Sequence, residues 1–187
     1  MPCEMDGGLL TRRTFALGGA AALLAGGYAP RASANDLRLG EPAPAATLVT
    51  LDGERIATQS LRGSVVLLTF WATWCTPCRE ELPLLSRYAT EHADGLRVLG
   101  FSLDTAQELA QVRSIARTLS FPNGLLERSQ APGYGRIWRL PVSFLLDRAG
   151  RLAVDGWREP APAVTAAWLA AHVEPLLAAG NEGAGSR

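Results

Sequence analysis

Two cysteines stand two residues apart, Cys75 and Cys78, inside "FWATWCTPCREELP", residues 70–83. Sulfur at that spacing serves a metal clamp, a structural crosslink or a reversible dithiol–disulfide couple. A structural zinc site takes four Cys or His ligands. Apart from Cys3, the only other candidates are His92 and His172, in separate segments. Copper favours added thioether or thiolate ligands, yet both methionines, Met1 and Met5, sit at the extreme N-terminus. No metal and no cofactor are therefore expected. A disulfide across so short a loop removes little entropy from the unfolded chain, so a purely structural crosslink is also a poor use of the pair. The redox reading fits the local physics. An apolar run ends near Trp71 and a helical pattern starts at the cysteines. Free backbone N–H groups and the helix dipole then surround the first sulfur and favour the thiolate, the attacking species. Pro77 suits a first helical turn, where its missing N–H has no partner to lose. Trp74 can shield one side of the pair, or simply pack.

The surrounding pattern supplies the elements that would hold this pair. "TLVTL" (47–51) and "ERIAT" (54–58) flank Asp52-Gly53, a hairpin signal. "SVVLLTF" (64–70) reads as a buried strand, Cys75 to about His92 as a helix, and "LRVLGFS" (96–102) as a second buried strand. Asp104 with Gln107 can cap the next helix, whose apolar face is Leu109, Val112, Ala116 and Leu119. Residues 120–138 suggest a short strand and a partial helical turn. "VSFLLD" (142–147) and "RLAVDGW" (151–157) form a hairpin about Arg148-Ala149-Gly150. A last helix spans 164–179, kinked or broken near Pro175. Strand–helix–strand units demand parallel pairing, and the closing hairpin makes the sheet mixed. The fold class is α/β, a mixed sheet flanked by helices and preceded by a hairpin.

The first 34 residues read as an export signal rather than as fold. Arg12 and Arg13 precede a weakly apolar run from Phe15 to Ala29, and Ala32-Ser33-Ala34 offers a cleavage site. Thr11-Arg12-Arg13-Thr14-Phe15 resembles a twin-arginine export motif. The apolar run is 15 residues long, short of the roughly 20 that cross a bilayer; anchoring by an uncleaved signal is the alternative. The mature domain is then 35–179, with 180–187 a flexible tail and Cys75 and Cys78 its only cysteines. Three Arg and two acids leave with the signal, moving the net charge from 0 to −1. Neither value implies nucleic acid or an anionic membrane as partner. An exported, periplasmic compartment is oxidising, so a paired Cys75–Cys78 persists there as a disulfide.

"WCTPC" after a buried strand, with Pro141 before a late one, resembles the thioredoxin superfamily. More narrowly, Cys75, Pro77, Cys78, Arg79, Glu81 and Pro83 match the C-x-P-C-R-x-E-x-P core of the TlpA/ResA-type thiol–disulfide oxidoreductases, and the likeness covers roughly residues 38–178. The resemblance implies a thioredoxin-like fold, Cys75 as exposed nucleophile and Cys78 as resolving thiol. It implies a cis Pro141 facing the site, whereas the residues alone suggest a trans proline starting a strand. Substrate would meet Trp74, Pro77, Leu140 and Pro141. Leu140 stands where a small or β-branched residue is usual. Thioredoxins carry a buried Asp six residues before the first cysteine; that position here is Thr69. Glu81 is the candidate replacement and Glu80 its neighbour, and at most one of two adjacent helical residues can face the site.

The function expected is a monomeric, exported protein-disulfide reductase. No cation lies between the cysteines to stabilise the thiolate strongly, and a weakly stabilised thiolate favours reduction of clients. The resemblance implies clients bearing disulfides or cysteine pairs, such as apocytochrome c or copper-site proteins, and a membrane thiol-donor protein. The alternatives are a thiol peroxidase, whose usual Thr three residues before the nucleophile is Ala72 here, and a copper- or haem-site chaperone.

Overall fold

The computed structural model describes residues 37–160 and 164–179. The export segment 1–34 and the tail 180–187 expected from the sequence lie outside the described residues. Strands β1 (Thr47–Val49) and β2 (Arg55–Ala57) pair antiparallel, with Thr47 opposite Ala57. Gly53 turns the hairpin at φ 90°, in the left-handed region where a side chain is disfavoured. Both strands are shorter than the sequence pattern suggests.

Strand β3 (Val65–Trp71) is buried along its whole length. It pairs in parallel with β4 (Leu96–Ser102) and is joined to it by α1 (Thr76–Glu91). Helix α2 (Leu109–Ala116) leads to the short β5 (Asn123–Leu125), parallel to β4. Strands β6 (Val142–Leu146) and β7 (Leu152–Val154) return antiparallel, giving the five-stranded order β5-β4-β3-β6-β7. A mixed sheet with a leading hairpin is the architecture that the strand–helix order implies. Residues 120–138 form β5 and two 3-10 turns, Leu126–Arg128 and Pro132–Tyr134. The closing helix is two helices, α3 (Ala166–His172) and α4 (Glu174–Ala178), with Pro175 in the first turn of α4, the position that costs proline least.

Alternation along β3 divides the core. Val65, Leu67 and Trp71 face a cluster containing Leu82 and Leu85 of α1 and Leu169 of α3. Val66, Leu68 and Phe70 face a second cluster with Phe101, Tyr134 and Phe144. Phe70 stacks on Phe101 at 5.0 Å and meets Phe144 edge-on at 5.9 Å, arrangements that suit the ring quadrupoles. By the same alternation Thr69, buried, faces the α1 side.

One expected cap is not formed. Thr105, not Asp104, caps the chain entering α2: its hydroxyl accepts from the Gln107 N–H, and Glu108 returns to the Thr105 N–H at 2.9 Å. Asp104 is 3% exposed and turned inward. Two Thr/Asp candidates stand side by side in the sequence, and the strand exit carries the first of them into the sheet's end.

Candidate active site

Parallel strands β3 and β4 end together, with Trp71 opposite Ser102. The chain leaves β3, turns through Ala72–Trp74, and enters α1. Cys75 is the N-cap residue of α1, and its Sγ accepts from the Cys78 N–H at 3.2 Å. The two sulfurs form a disulfide, S–S 2.04 Å. The first sulfur thus sits at the positive end of a 16-residue helix, on an otherwise unsatisfied N–H.

The resemblance implies an exposed Cys75. In the disulfide it is only 5% exposed, against 1% for Cys78. Access runs along a groove of about 360 Å³ that includes Trp74, Cys75, Pro77, Trp138, Arg139 and Leu140 in its walls. Trp74 is 68% exposed, so it walls the groove rather than packing. The Leu140–Pro141 peptide is cis, and Pro141 is buried immediately before β6.

Of the two neighbouring acids, Glu80 is exposed and Glu81 is buried. Glu81 lies three residues past Cys78, so the two share a face of α1. Neither carboxyl oxygen of Glu81 meets a protein hydrogen-bond donor among the described residues. Burial pushes its pKa up from 4.5 to about 8; the backbone at Val164 opposes this in part without reaching hydrogen-bond geometry. A carboxyl that exchanges its proton near neutral pH can accept and return one.

Two residues of the site were not assigned to it from the sequence: Asp104, expected only as a helix cap, and Trp138. Asp104 accepts from the Thr73 N–H at 2.9 Å, the Thr73 hydroxyl at 2.7 Å and the Ser102 hydroxyl at 2.6 Å. It fastens the exit of β4 to the turn that carries Cys75. A signal existed: an acid directly after a strand parallel to β3 must land beside the same turn. Trp138 is 72% exposed and stacks on Trp157 at 5.6 Å. The Arg139 guanidinium lies beside the pair, 5.7 and 5.9 Å from the two rings, and donates to the Gly156 and Glu159 carbonyls at 2.5 and 2.7 Å. No pattern in "YGRIWRLP" distinguishes an exposed tryptophan from a core one. No group of three metal-ligating side chains occurs among the described residues.

Known proteins resemble this chain in sequence and in shape. The model of the AhpC/TSA family matches residues 39–154. The thioredoxin-like protein YneN of Bacillus subtilis is 38% identical over 114 residues, 59% of this chain and 66% of that protein. The thiol-disulfide oxidoreductase ResA of Bacillus cereus is 27% identical over 62% of this chain and 68% of its own length. The chain thus spans about two thirds of these curated relatives. Among solved structures, a thioredoxin-family thiol:disulfide interchange protein from Chlorobium tepidum superposes with a TM-score of 0.60 at 27% identity, covering 76% of this chain and 99% of that one. A second from the same organism, assigned as DsbE, gives 0.61 at 29% identity, with 75% and 99% covered. With the family match extending over more than half of the sequence and a Cys75–Cys78 disulfide at the head of α1, the chain belongs to the AhpC/TSA family and is a thioredoxin-fold thiol–disulfide oxidoreductase.

Proposed function

We propose that this oxidoreductase is exported and works mainly as a disulfide reductase, on proteins whose cysteine pairs must be reduced before haem or copper is inserted. The observation that carries the reading is Glu81, a buried carboxyl without a protein donor one helical step past the resolving cysteine. The Cys75 thiolate attacks one sulfur of a client disulfide and forms a mixed disulfide, releasing the client's other sulfur as a thiolate. Cys78 then gives its proton to the Glu81 carboxylate and attacks the Cys75 sulfur. The client leaves with two thiols, and two electrons have passed from the pair to the client. Only a thiolate can attack, and a thiol as buried as Cys78 resists ionising without a base. A membrane thiol donor would return the pair to its reduced state.

Export rests on the arginine pair and the small-residue site within residues 1–34. Among the described residues no helix is long and apolar enough to cross a membrane. Peroxidase chemistry is the weaker reading. Position 72 is a fully buried Ala whose carbonyl accepts from the Cys75 N–H at 3.1 Å, and it offers no hydroxyl to a peroxide.

Trapping tests the proposal. Cys78→Ser cannot resolve its mixed disulfide, so clients remain covalently attached through Cys75 and can be identified by mass spectrometry from the exported fraction. Apocytochrome or copper-site cysteines are the expected partners. A protein that oxidises dithiol peptides faster than its reduced form reduces model disulfides would refute the direction assigned.

A further inference from the structure

Asp104 binds no substrate groove residue and caps no helix, yet it is almost wholly buried and holds three donors through both carboxyl oxygens. A carboxylate removed from water is costly unless its hydrogen bonds are replaced; here every replacement comes from Ser102 or from Thr73, two residues before Cys75. The Leu103 N–H also donates to the Trp71 carbonyl at 2.8 Å, so the two strand exits are tied twice. All three donors to Asp104 are neutral groups, so no cation pairs with it through these bonds.

The charged groups facing the couple are few. Helix α1 contributes Glu81, the loop before β6 contributes Arg139, and the exit of β4 contributes Asp104. Residues 164–169 of the α3 side present the apolar Val164, Trp168 and Leu169 to the same cluster. Arg79 and Glu80 are exposed, Arg79 within 3.4 Å of the Thr76 hydroxyl. Arg139 is engaged by two backbone carbonyls. Chain geometry bounds the separation: Thr73 touches Asp104 at 2.9 Å, and two residues span at most about 7 Å. The carboxylate therefore lies within about 10 Å of the Cys75 backbone N–H. At an effective dielectric of about 20, a unit charge about 10 Å from a thiol moves its titration by roughly one pH unit.

We propose that Asp104 is a positioning residue that holds the Thr73–Cys75 turn and, by its fixed negative charge, keeps the couple on the reducing side. This deepens the reductase reading and rests on it. The test compares two substitutions that disturb the same Thr73–Asp104 contact, one by removing the carboxylate's charge and the other by removing the Thr73 hydroxyl donor. In Asp104→Asn the charge goes. The pH midpoint for alkylation of Cys75 by iodoacetamide, read by mass spectrometry on the reduced full chain, should fall by up to about one pH unit. The reduction potential should rise by up to ~30 mV for that tenfold change. In Thr73→Val the charge stays and loses a compensating hydroxyl dipole, so the midpoint should rise by a few tenths of a pH unit. Opposite signs are required, because a merely structural clamp would move both variants the same way or neither. Equal or same-signed shifts overturn the proposal. Should Asp104→Asn not fold, a fall or no change in Thr73→Val alone overturns it. These results leave the direction of turnover to the client-trapping experiment, so failure here and failure of the reductase reading are distinguishable.

Discussion

Glu81 carries two expected outcomes at the scale of a single residue. Glu81→Gln keeps the shape and removes the base, so resolution of the mixed disulfide should slow roughly 10²-fold, the ordinary size of general-base assistance. Glu80→Gln, changed on the exposed face, should do little. Stopped-flow turnover of a model disulfide from pH 5 to 9 separates the two, and equal rates for wild type and Glu81→Gln would leave the proton acceptor unassigned. The second outcome concerns stability. In the unfolded chain Glu81 titrates near 4.5, and in the folded protein burial holds its proton up to about 8. Between those values the folded state binds more protons, so stability must fall as pH rises through the window and level off above about 8. The effect is on the order of a few kcal/mol at most. Denaturant midpoints of the oxidised protein between pH 5 and 9 should show the decline in wild type and a flatter profile in Glu81→Gln. Sequence alone restricted the acid to one of two neighbours, because helical geometry forbids both from facing the site. Asp104 was read as a helix cap, because its place beside the cysteines follows only when the parallel pairing of β3 and β4 is carried through to where both strands end.

At the scale of elements, the most legible were those with long apolar runs: β3, β4 and α1 came within a residue or two of their observed bounds. Short elements were blurred because their apolar patterns are too brief to show a period. β5 has three residues, Asn123–Leu125, and is held by context. Asn123 accepts from the Trp71 indole N–H at 3.0 Å and donates to the Phe121 carbonyl at 2.8 Å. Gly124 is needed for space: a Cβ there would stand 1.9 Å from the Val49 carbonyl oxygen, a backbone atom that cannot swing aside. Gly124→Ala should therefore push the hairpin off the sheet and cost about 1–3 kcal/mol, as overpacking does. A urea midpoint lowered at unchanged slope is the expected signature; an unchanged midpoint would mean that the hairpin yields freely. Helix α1 contains Pro83, whose missing N–H leaves the Arg79 carbonyl without its usual i+4 partner. The "C-x-P-C-R-x-E-x-P" match was informative because it fixes residues of this kind, whose cost within a helix calls for a reason.

At the scale of the whole molecule, we expect the exported chain to begin near Asn35 after cleavage at Ala32-Ser33-Ala34. N-terminal sequencing of protein from the exported fraction checks this, and a full-length chain retained in the membrane would contradict it. The segment 35–45 reads in the sequence as a polar, proline-rich lead-in, and what it does depends on contacts that no local pattern contains. Gly40 N–H donates to the Leu152 carbonyl at 2.8 Å, Leu152 N–H to Glu41 at 2.9 Å, and Ala43 N–H to Gly150 at 3.0 Å. A few residues later Thr47 exchanges bonds with Gln130 at 2.7 and 2.8 Å, and Leu51 N–H donates to the Asn123 carbonyl at 2.9 Å. One stretch of chain thus lies first along β7 and then beside β5, the two outermost strands. A sheet edge with free N–H and C=O groups is a template for another chain's strand. By bonding to Leu152 of β7 and Asn123 of β5, the lead-in and hairpin take up part of both margins, so the sheet offers less free edge to a second chain's strand.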